Sequence, residues 1–275
     1  MLPGFLLSVR EGFEVALVLG IVLSALRKIK HREMSSIIWS GAAVAGLVSA
    51  LLALLLYSLG GEFEGRAEEI YEGLSMLSAA VLLTWMVFWM RRQAGILSKE
   101  LEGNVLRMTA LGSHRALFLL AFLAVGREGM ELAAFLTIAA FSSSAWLTFL
   151  GAIAGLGIAA LMGILLFTTT RRLSVKKFFL LTNVLLLLFA AGLVARSIHE
   201  FNEAGWVPAG VENIWDTNHI LNDESAVGSI FVTLLGYNGN PSLTEVVVYV
   251  GYLLLVCVLF YKGAIHVQTH PGIET

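Results

Sequence analysis

Charged side chains are scarce in this sequence, and that scarcity decides its class. Only 14% of the 275 residues are charged, whereas ordinary soluble domains carry about 25%. Hydrophobic residues make up 57% of the chain, and its mean hydropathy is +0.82. The composition therefore predicts an all-α integral membrane protein, with residues 1–275 forming a single membrane domain. The net charge of −2 gives no indication of a nucleic-acid partner.

Cysteine is almost absent as well. The single cysteine, Cys257, excludes an intrachain disulfide framework and a thiolate metal cluster. We interpret it as a small packing residue of the last helix. The N-terminal run also lacks a basic segment, and Arg10 and Glu11 interrupt it, so we expect no cleavable signal peptide.

Long apolar runs are what the sequence has in abundance. Crossing about 30 Å of hydrocarbon takes roughly 20 apolar residues in a helix. Seven runs meet this length, and they predict seven transmembrane helices at residues 2–26, 36–59, 70–90, 114–141, 146–169, 177–199 and 243–262. A long loop at about 200–242 separates the last two helices.

The distribution of Lys and Arg predicts how these helices are oriented. Neither residue type occurs in the stretches 142–144 and 200–242, whereas the loops that follow the first, third and fifth helices carry several. Basic loops stay on the cytoplasmic side of a membrane. The N-terminus is therefore predicted outside, the C-terminus inside, and the long loop outside.

Two clusters of charge interrupt otherwise apolar helices. They are Arg10-Glu11-Gly12-Phe13-Glu14 in the first helix and Arg127-Glu128-Gly129-Met130-Glu131 in the fourth. An ionised residue at the centre of a membrane helix costs about 2.5–3.5 kcal/mol, and an intramembrane charge is by default a functional-site hypothesis. In each cluster the two glutamates share a helix face, and the arginine neighbours the second glutamate.

The order of helix types predicts an internal repeat. The second and fifth helices each carry a ladder of small residues at every fourth position, namely Gly41, Ala45, Ser49 and Ala53, and Gly151, Gly155, Ala159 and Gly163. Such ladders let two helix backbones approach closely. A charged helix, a ladder helix and a third helix thus occur twice, at about 1–92 and 113–200. Because each unit has an odd number of helices, the two have opposite orientations. This predicts a 3+3 inverted repeat plus a seventh helix, with a binding site at mid-membrane.

If the two charged helices cross, their four carboxylates and two guanidiniums sum to a formal charge of −2. Carboxylate oxygens suit hard cations, so the pattern favours a multivalent metal ion. One alternative is that the clusters are buried salt bridges that only fix helix packing. A second is a membrane di-iron oxidase, although neither cluster contains the histidine that such sites use. A structural or sensory subunit, and a carrier for another divalent cation, also remain open.

Further polar groups lie near the predicted outer ends of the helices. Glu69 and Glu72 share a face of the third helix, and His199, Glu200 and Glu203 end the sixth. We interpret Glu72 as a further metal ligand and the other four residues as a candidate external capture site. Trp85 and Trp89, near the inner end of the third helix, are interpreted as interfacial aromatic anchors.

At these residues the sequence resembles the high-affinity iron permeases of fungi and bacteria, the oxidase-dependent iron transporter family of the iron/lead transporter superfamily. The family has Arg-Glu-x-x-Glu motifs in membrane helices 1 and 4, and both charged clusters match them. The resemblance extends over nearly the whole chain, through Tyr71-Glu72-Gly73, Leu83-Thr84-Trp85-Met86, His199-Glu200, Glu203-Ala204-Gly205, Leu235-Gly236-Tyr237 and Pro241-Ser242-Leu243.

The resemblance implies a permease, not an enzyme, that imports iron across the cytoplasmic membrane. It implies iron as the transported substrate, no resident cofactor, and the motif glutamates Glu11, Glu14, Glu128 and Glu131 as iron ligands. It also implies a ferroxidase or a periplasmic iron-binding protein as partner. Some members of the superfamily are linked to lead, so the identity of the metal stays open. The iron valence, the driving force and homo-oligomerisation also stay open.

Overall fold

A computed structural model describes residues 1–59, 65–93, 103, 107, 113–141, 144–168, 175–223 and 225–268. These ranges contain eight α-helices with defined bounds, a short 3₁₀ helix at Arg32–Met34, and no strand. The helices are α1 Leu2–Lys28, α2 Ser35–Leu59, α3 Arg66–Gln93, α4 His114–Phe141, α5 Ala145–Thr168, α6 Val175–Glu203, α7 Ala226–Leu235 and α8 Leu243–Gln268. Ser142, Ser143, the stretch 169–174 and most of 94–112 lie outside the described residues.

Each of the seven predicted runs corresponds to one long helix. The largest differences are that α8 ends at Gln268 and not at 262, that α3 begins at Arg66 and not at 70, and that α6 ends at Glu203 and not at 199. Five helices, α2, α3, α5, α6 and α8, are long and apolar enough to cross a membrane. The helices α1 and α4 are of similar length, 27 and 28 residues, but carry the charged clusters. The helical prediction is thus confirmed for the described residues, and these are the helices of a multi-pass membrane protein.

The sequence analysis did not predict α7, which lies inside the predicted outer loop. Its 10 residues rise only about 15 Å, half of what a membrane span requires. Ser225 caps its N-terminus, because the Ser225 side chain accepts a hydrogen bond of 2.9 Å from the Gly228 amide. Gly236 ends it in the left-handed conformation, at φ 65°. A segment this short is below the length that the search for spanning runs detects.

The chain divides into two compact units. The first comprises Met1–Glu62 and Trp85–Asn183, and the second comprises Phe63–Thr84 and Val184–Thr275. The first unit therefore combines helices from both predicted repeats, and the repeat itself stays a prediction.

In the first unit, α1 packs along α5 through the small residues of α5. A Cβ added to Gly155 would stand 2.5 Å from the Phe5 carbonyl oxygen and 2.9 Å from the Ser8 Cβ. Further along, Gly12 faces Ala159, and Ala16 faces Gly163. Because the residue numbers at successive contacts increase along both helices, α1 and α5 run parallel.

The helices α2 and α4 pack in the same manner. Gly41 lies against the Phe118 carbonyl oxygen and the Ala121 side chain, and Gly129 lies against the Ser49 side chain. These helices are parallel too. The glycine of each charged cluster thus contacts the third small residue of a ladder, Ala159 for Gly12 and Ser49 for Gly129.

The two helix pairs meet along α1 and α4. A buried apolar cluster joins the second half of α1 to α2 and to the first half of α4, and its members are Leu19, Val22, Ala25, Leu26, Ile38, Ala45, Leu117, Ala121 and Val125. The beginning of α4 therefore lies beside the end of α1, and these two helices are antiparallel. This arrangement places the middle of α1, with its charged cluster, opposite the corresponding part of α4.

The second unit contains the first part of α3, the second half of α6, α7 and α8. Gly192 of α6 and Gly236 at the end of α7 lie in backbone contact, where no side chain would fit. Tyr249 of α8 donates a hydrogen bond of 2.7 Å to the Leu235 carbonyl oxygen. The hydroxyls of Thr84 and Tyr252 are 2.6 Å apart and link α3 to α8.

The close packing of α1 on α5 predicts that alanine substitutions at two glycines of α5 change the stability of the protein by different amounts. Gly155→Ala is expected to destabilise the protein by about 1–3 kcal/mol, because its methyl group must displace the backbone of α1. Gly157 has nothing within 4 Å of an added Cβ, so Gly157→Ala is the matched control and is expected to be neutral or slightly stabilising. Thermal unfolding of the purified variants in detergent measures the difference. Equal unfolding midpoints would contradict the packing of α1 against α5.

Candidate metal centre

Three glutamates from α1 and α4 meet in the first unit. A carboxylate oxygen of each of Glu11, Glu128 and Glu131 lies within 4.8 Å of one from each of the others. Glu11 is 1% exposed and Glu128 is 6% exposed, so two of these carboxylates are removed from water. We call Glu11, Glu128 and Glu131 the carboxylate triad. Its members come from the two clusters that the sequence analysis singled out.

The triad has spare acceptor capacity. One buried oxygen of each member, the Oε2 atom, has no hydrogen-bond partner within the described part of the chain. A buried carboxylate oxygen without a partner is costly. Three such oxygens close together are a suitable ligand set for a hard cation, which would replace the missing partners.

Arg10 neutralises the α1 side of the site. It is completely buried, with one guanidinium nitrogen 2.8 Å from Glu11 Oε1 and the other 3.3 Å from Glu14 Oε1. Glu14 is also buried but pairs with Arg10 and does not join the triad. Of the four predicted motif ligands, the structure therefore brings three together and places Glu14 beside them as a partner of the arginine.

The C-terminal part of α3 completes the surroundings of Arg10. The Arg10 guanidinium donates a hydrogen bond of 3.2 Å to the Met86 sulfur and another to the Met90 sulfur. Thioether sulfurs are weak acceptors, so these contacts orient the guanidinium more than they neutralise it. The sequence analysis missed both methionines, although their i, i+4 spacing places them on one helix face.

Arg127 has a more open environment on the α4 side. Its Nε atom is 3.2 Å from Glu131 Oε1 and 3.8 Å from Glu128 Oε1, and its side chain is 35% exposed. The guanidinium carbon also lies 4.1 Å from the ring centroid of Trp89, a cation–π contact. Trp89, which was interpreted as an interfacial anchor, therefore also contacts a motif arginine. Trp85 stacks on Trp89 at 6.2 Å and is 64% exposed, as expected of an anchor.

A cavity of about 610 Å³ begins at the triad and lies among α1, α2, α4 and α5. Glu11, Glu128 and Ser49 line one end, and Arg27 and Trp39 line the other. From Glu11 to Arg27 the α1 helix rises about 24 Å. Most of the other lining residues are apolar. The cavity therefore connects the carboxylates to the end of α1 that carries basic residues.

The predicted outer site falls in the second unit, where two of its members pair. His199 Nε2 lies 3.4 Å from Glu203 Oε1, and His199 Nδ1 lies 3.1 Å from Glu245 Oε1. Glu69 and Glu72 lie close enough to Glu200 to repel its carboxylate. Within the described residues this set contains no group of three metal-ligating side chains as tight as the triad. Its role in ion capture stays a prediction.

The sequence analysis missed Glu245, which is 4% exposed. Its carboxylate accepts hydrogen bonds of 2.8 Å from the Asn238 side chain and 3.2 Å from the Ser242 amide. The Ser242 hydroxyl in turn accepts a hydrogen bond from the Glu245 amide. This reciprocal pair is a capping box at the start of α8, and the sequence Ser242-Leu243-Thr244-Glu245 is the signal that would have revealed it.

Comparison with known proteins identifies the same family that the sequence resembles. The model of the family described as "Iron permease FTR1 family" matches residues 1–270. The chain is 35% identical over 264 residues to the "Ferrous iron permease EfeU" of Escherichia coli O6:K15:H31, covering 94% of this chain and 95% of that protein. It is 34% identical over 266 residues to the "Ferrous iron permease EfeU" of Yersinia pestis, covering 95% and 93%. The K12 strain of Escherichia coli has a 35% identical relative named "Putative inactive ferrous iron permease EfeU". No solved structure matches the chain.

The different burial of the two motif arginines predicts different losses of stability. Arg10→Met leaves two buried carboxylates without their guanidinium, and we expect a loss of about 3–5 kcal/mol. Arg127→Met breaks a pair that is only partly enclosed and is expected to cost less than Arg10→Met. Thermal unfolding of both variants in the same detergent compares them. If Arg127→Met were the more destabilising of the two, the described environments of the arginines would be wrong.

Proposed function

The chain belongs to the iron permease FTR1 family, and from this membership and the carboxylate triad we propose that it imports ferrous iron across the cytoplasmic membrane. Its relatives are named permeases, so the chain is an iron transporter and not an enzyme. Beyond this general function, we propose which residues hold the ion, which valence the ion has and which route it takes. Iron is the substrate in this account, and the transport step needs no resident cofactor.

The observation that carries the proposal is the meeting of three carboxylates that retain unpartnered buried oxygens. If the clusters served packing alone, the pairs Arg10–Glu14 and Arg127–Glu131 would suffice. Glu11 and Glu128 would then be two additional buried carboxylates with no structural need. Two guanidiniums cannot neutralise four carboxylates, and incompletely compensated buried charge is destabilising, so the excess of carboxylates supports a site that a cation completes.

The charge of the site supports a divalent ion. The four motif glutamates and two motif arginines sum to −2, which a ferrous ion would neutralise and a ferric ion would exceed. The name of the relatives, ferrous iron permease, agrees with this valence. Another divalent cation could use the same oxygens, and competition with ferrous iron in the uptake experiment below would reveal such a carrier.

The cavity supports a route for release from the triad. By the distribution of basic residues in the loops, its Arg27 end faces the cytoplasm. Its volume of about 610 Å³ exceeds the roughly 180 Å³ that six waters of a hydrated ion occupy in liquid. We therefore propose that the described conformation is open toward the cytoplasm.

The matching helix pairs support the inverted repeat of the proposed seven-span topology. The Gly12–Ala159 and Gly129–Ser49 contacts occupy equivalent positions of the two proposed repeats. Rocking of one helix pair against the other would expose the triad to each side in turn. On the outer side we propose Glu69, Glu72, His199, Glu200 and Glu203 as the groups that first attract the ion. A ferroxidase or a periplasmic iron-binding protein is the proposed partner there.

Uptake of radioactive ferrous iron into proteoliposomes, under reducing and oxygen-free conditions, tests the proposal. Glu11→Gln and Glu128→Gln keep the side-chain shape but remove the charge, and each is expected to lower uptake at least about tenfold. Glu11→Asp should also retain little uptake, because the shorter side chain withdraws the oxygen from the triad.

Glu33→Gln is the matched control, because the Glu33 side chain is 67% exposed and, within the described residues, forms an ion pair only with His31. This variant is expected to transport at the wild-type rate. Wild-type uptake by the correctly inserted Glu11→Gln and Glu128→Gln proteins would refute the role of the triad as the ion site.

A further inference from the structure

The two motif arginines occupy equivalent sequence positions but have unequal freedom to move. Arg10 is fully buried between two carboxylates on one side and the sulfurs of Met86 and Met90 on the other. All of these groups are held on helices, so the Arg10 guanidinium has no second place to go. Arg10 is therefore a permanent counter-charge of the α1 cluster.

Arg127 contacts Glu128, Glu131 and Trp89 but is not enclosed by them. Its Nε atom contacts Glu131 at 3.2 Å, and its guanidinium also lies over the face of Trp89, at 4.1 Å. With 35% of its side chain exposed, the guanidinium has room to shift. Because Arg127 holds Oε1 of Glu131 and the free Oε2 belongs to the same carboxylate, a metal ion in the triad would lie close to the guanidinium.

An arriving cation would therefore repel Arg127 and weaken its pair with Glu131. A guanidinium released into an apolar setting is costly unless another group stabilises it. An aromatic face attracts a guanidinium more strongly when no carboxylate neutralises it and water is excluded. The ring of Trp89 is already in contact with Arg127, so it is placed to stabilise the displaced arginine.

We propose that Trp89 is a positioning residue that holds Arg127 as a displaceable counter-cation, so that ferrous iron can exchange with the guanidinium at Glu131. Without iron, Arg127 neutralises Glu131. With iron in the triad, Arg127 leaves that oxygen and remains on the Trp89 ring. The inference rests on the proposed function, since it names the residue that sets the affinity of the same site.

Equilibrium binding of radioactive ferrous iron to the purified protein in detergent, without oxygen, tests the exchange. Trp89→Leu removes the ring, and its affinity is expected to fall roughly three- to thirtyfold, the range of a single cation–π contact. Trp89→Phe keeps an aromatic face and should restore most of the affinity. Trp146→Leu is the matched control, because Trp146 is 64% exposed, and the described residues show an arginine over the ring of Trp89 but none over that of Trp146. It should bind iron with wild-type affinity.

A double-mutant cycle separates positioning from mere packing. In an Arg127→Gln background there is no guanidinium to stabilise, so adding Trp89→Leu should leave the iron affinity unchanged. A packing role would lower the affinity by the same factor in both backgrounds. If Trp89→Leu does not fold, Trp89→Met fills the same space without a ring and takes its place in the cycle.

The outcomes distinguish this inference from the proposed function. If the wild-type protein binds ferrous iron and Trp89→Leu binds it equally well, the exchange is overturned and the triad is untouched. The exchange is also overturned if Trp89→Leu lowers the iron affinity by the same factor in the wild-type and Arg127→Gln backgrounds. If the wild-type protein binds no ferrous iron, the proposed function fails, and this inference fails with it.

Discussion

Neutralisation of charge inside two membrane helices is the constraint from which the rest of this structure follows. Arg10 is fully buried, and its contacts with Glu11 and Glu14 keep two carboxylates in an apolar setting. Within the described residues the Oε2 atoms of Glu11, Glu128 and Glu131 nevertheless have no hydrogen-bond partner. The unsatisfied oxygens of Glu11, Glu128 and Glu131 then provide a strong physical reason for the site to take up a cation.

The charges can meet only because small residues let the helices approach. Gly12 lies against Ala159 and Gly129 against Ser49, so each charged cluster is directly supported by the neighbouring helix. Such contacts are the usual means of association between membrane helices, where apolar side chains alone provide no hydrophobic driving force. The same packing leaves a cavity beside Glu11 and Glu128. The small-residue packing therefore accounts for both the close approach of the helices and the cavity beside the carboxylates.

The sequence alone predicted the features that depend on composition and helical period. The seven long helices, the two charged clusters and the small-residue ladders could all be predicted, because each is a local pattern of apolar length or spacing. The contacts of Met86 and Met90 with Arg10, and of Trp89 with Arg127, could not. A helical period tells which face a side chain occupies but not which distant helix covers that face. The short helix α7 was missed because it is below spanning length. The pairing of Arg10 with Glu14 was predicted from the i, i+4 spacing, but the position of Glu14 outside the triad depends on rotamers and was not.

The most direct test of the carboxylate triad is a structure of the iron-loaded protein with the iron located by its anomalous scattering. The account predicts one iron peak within bonding distance of Glu11, Glu128 and Glu131, with Arg127 moved away from Glu131. An iron peak held by other residues would contradict it. So would an iron-loaded protein in which Arg127 still pairs with Glu131 and no metal lies among the three carboxylates.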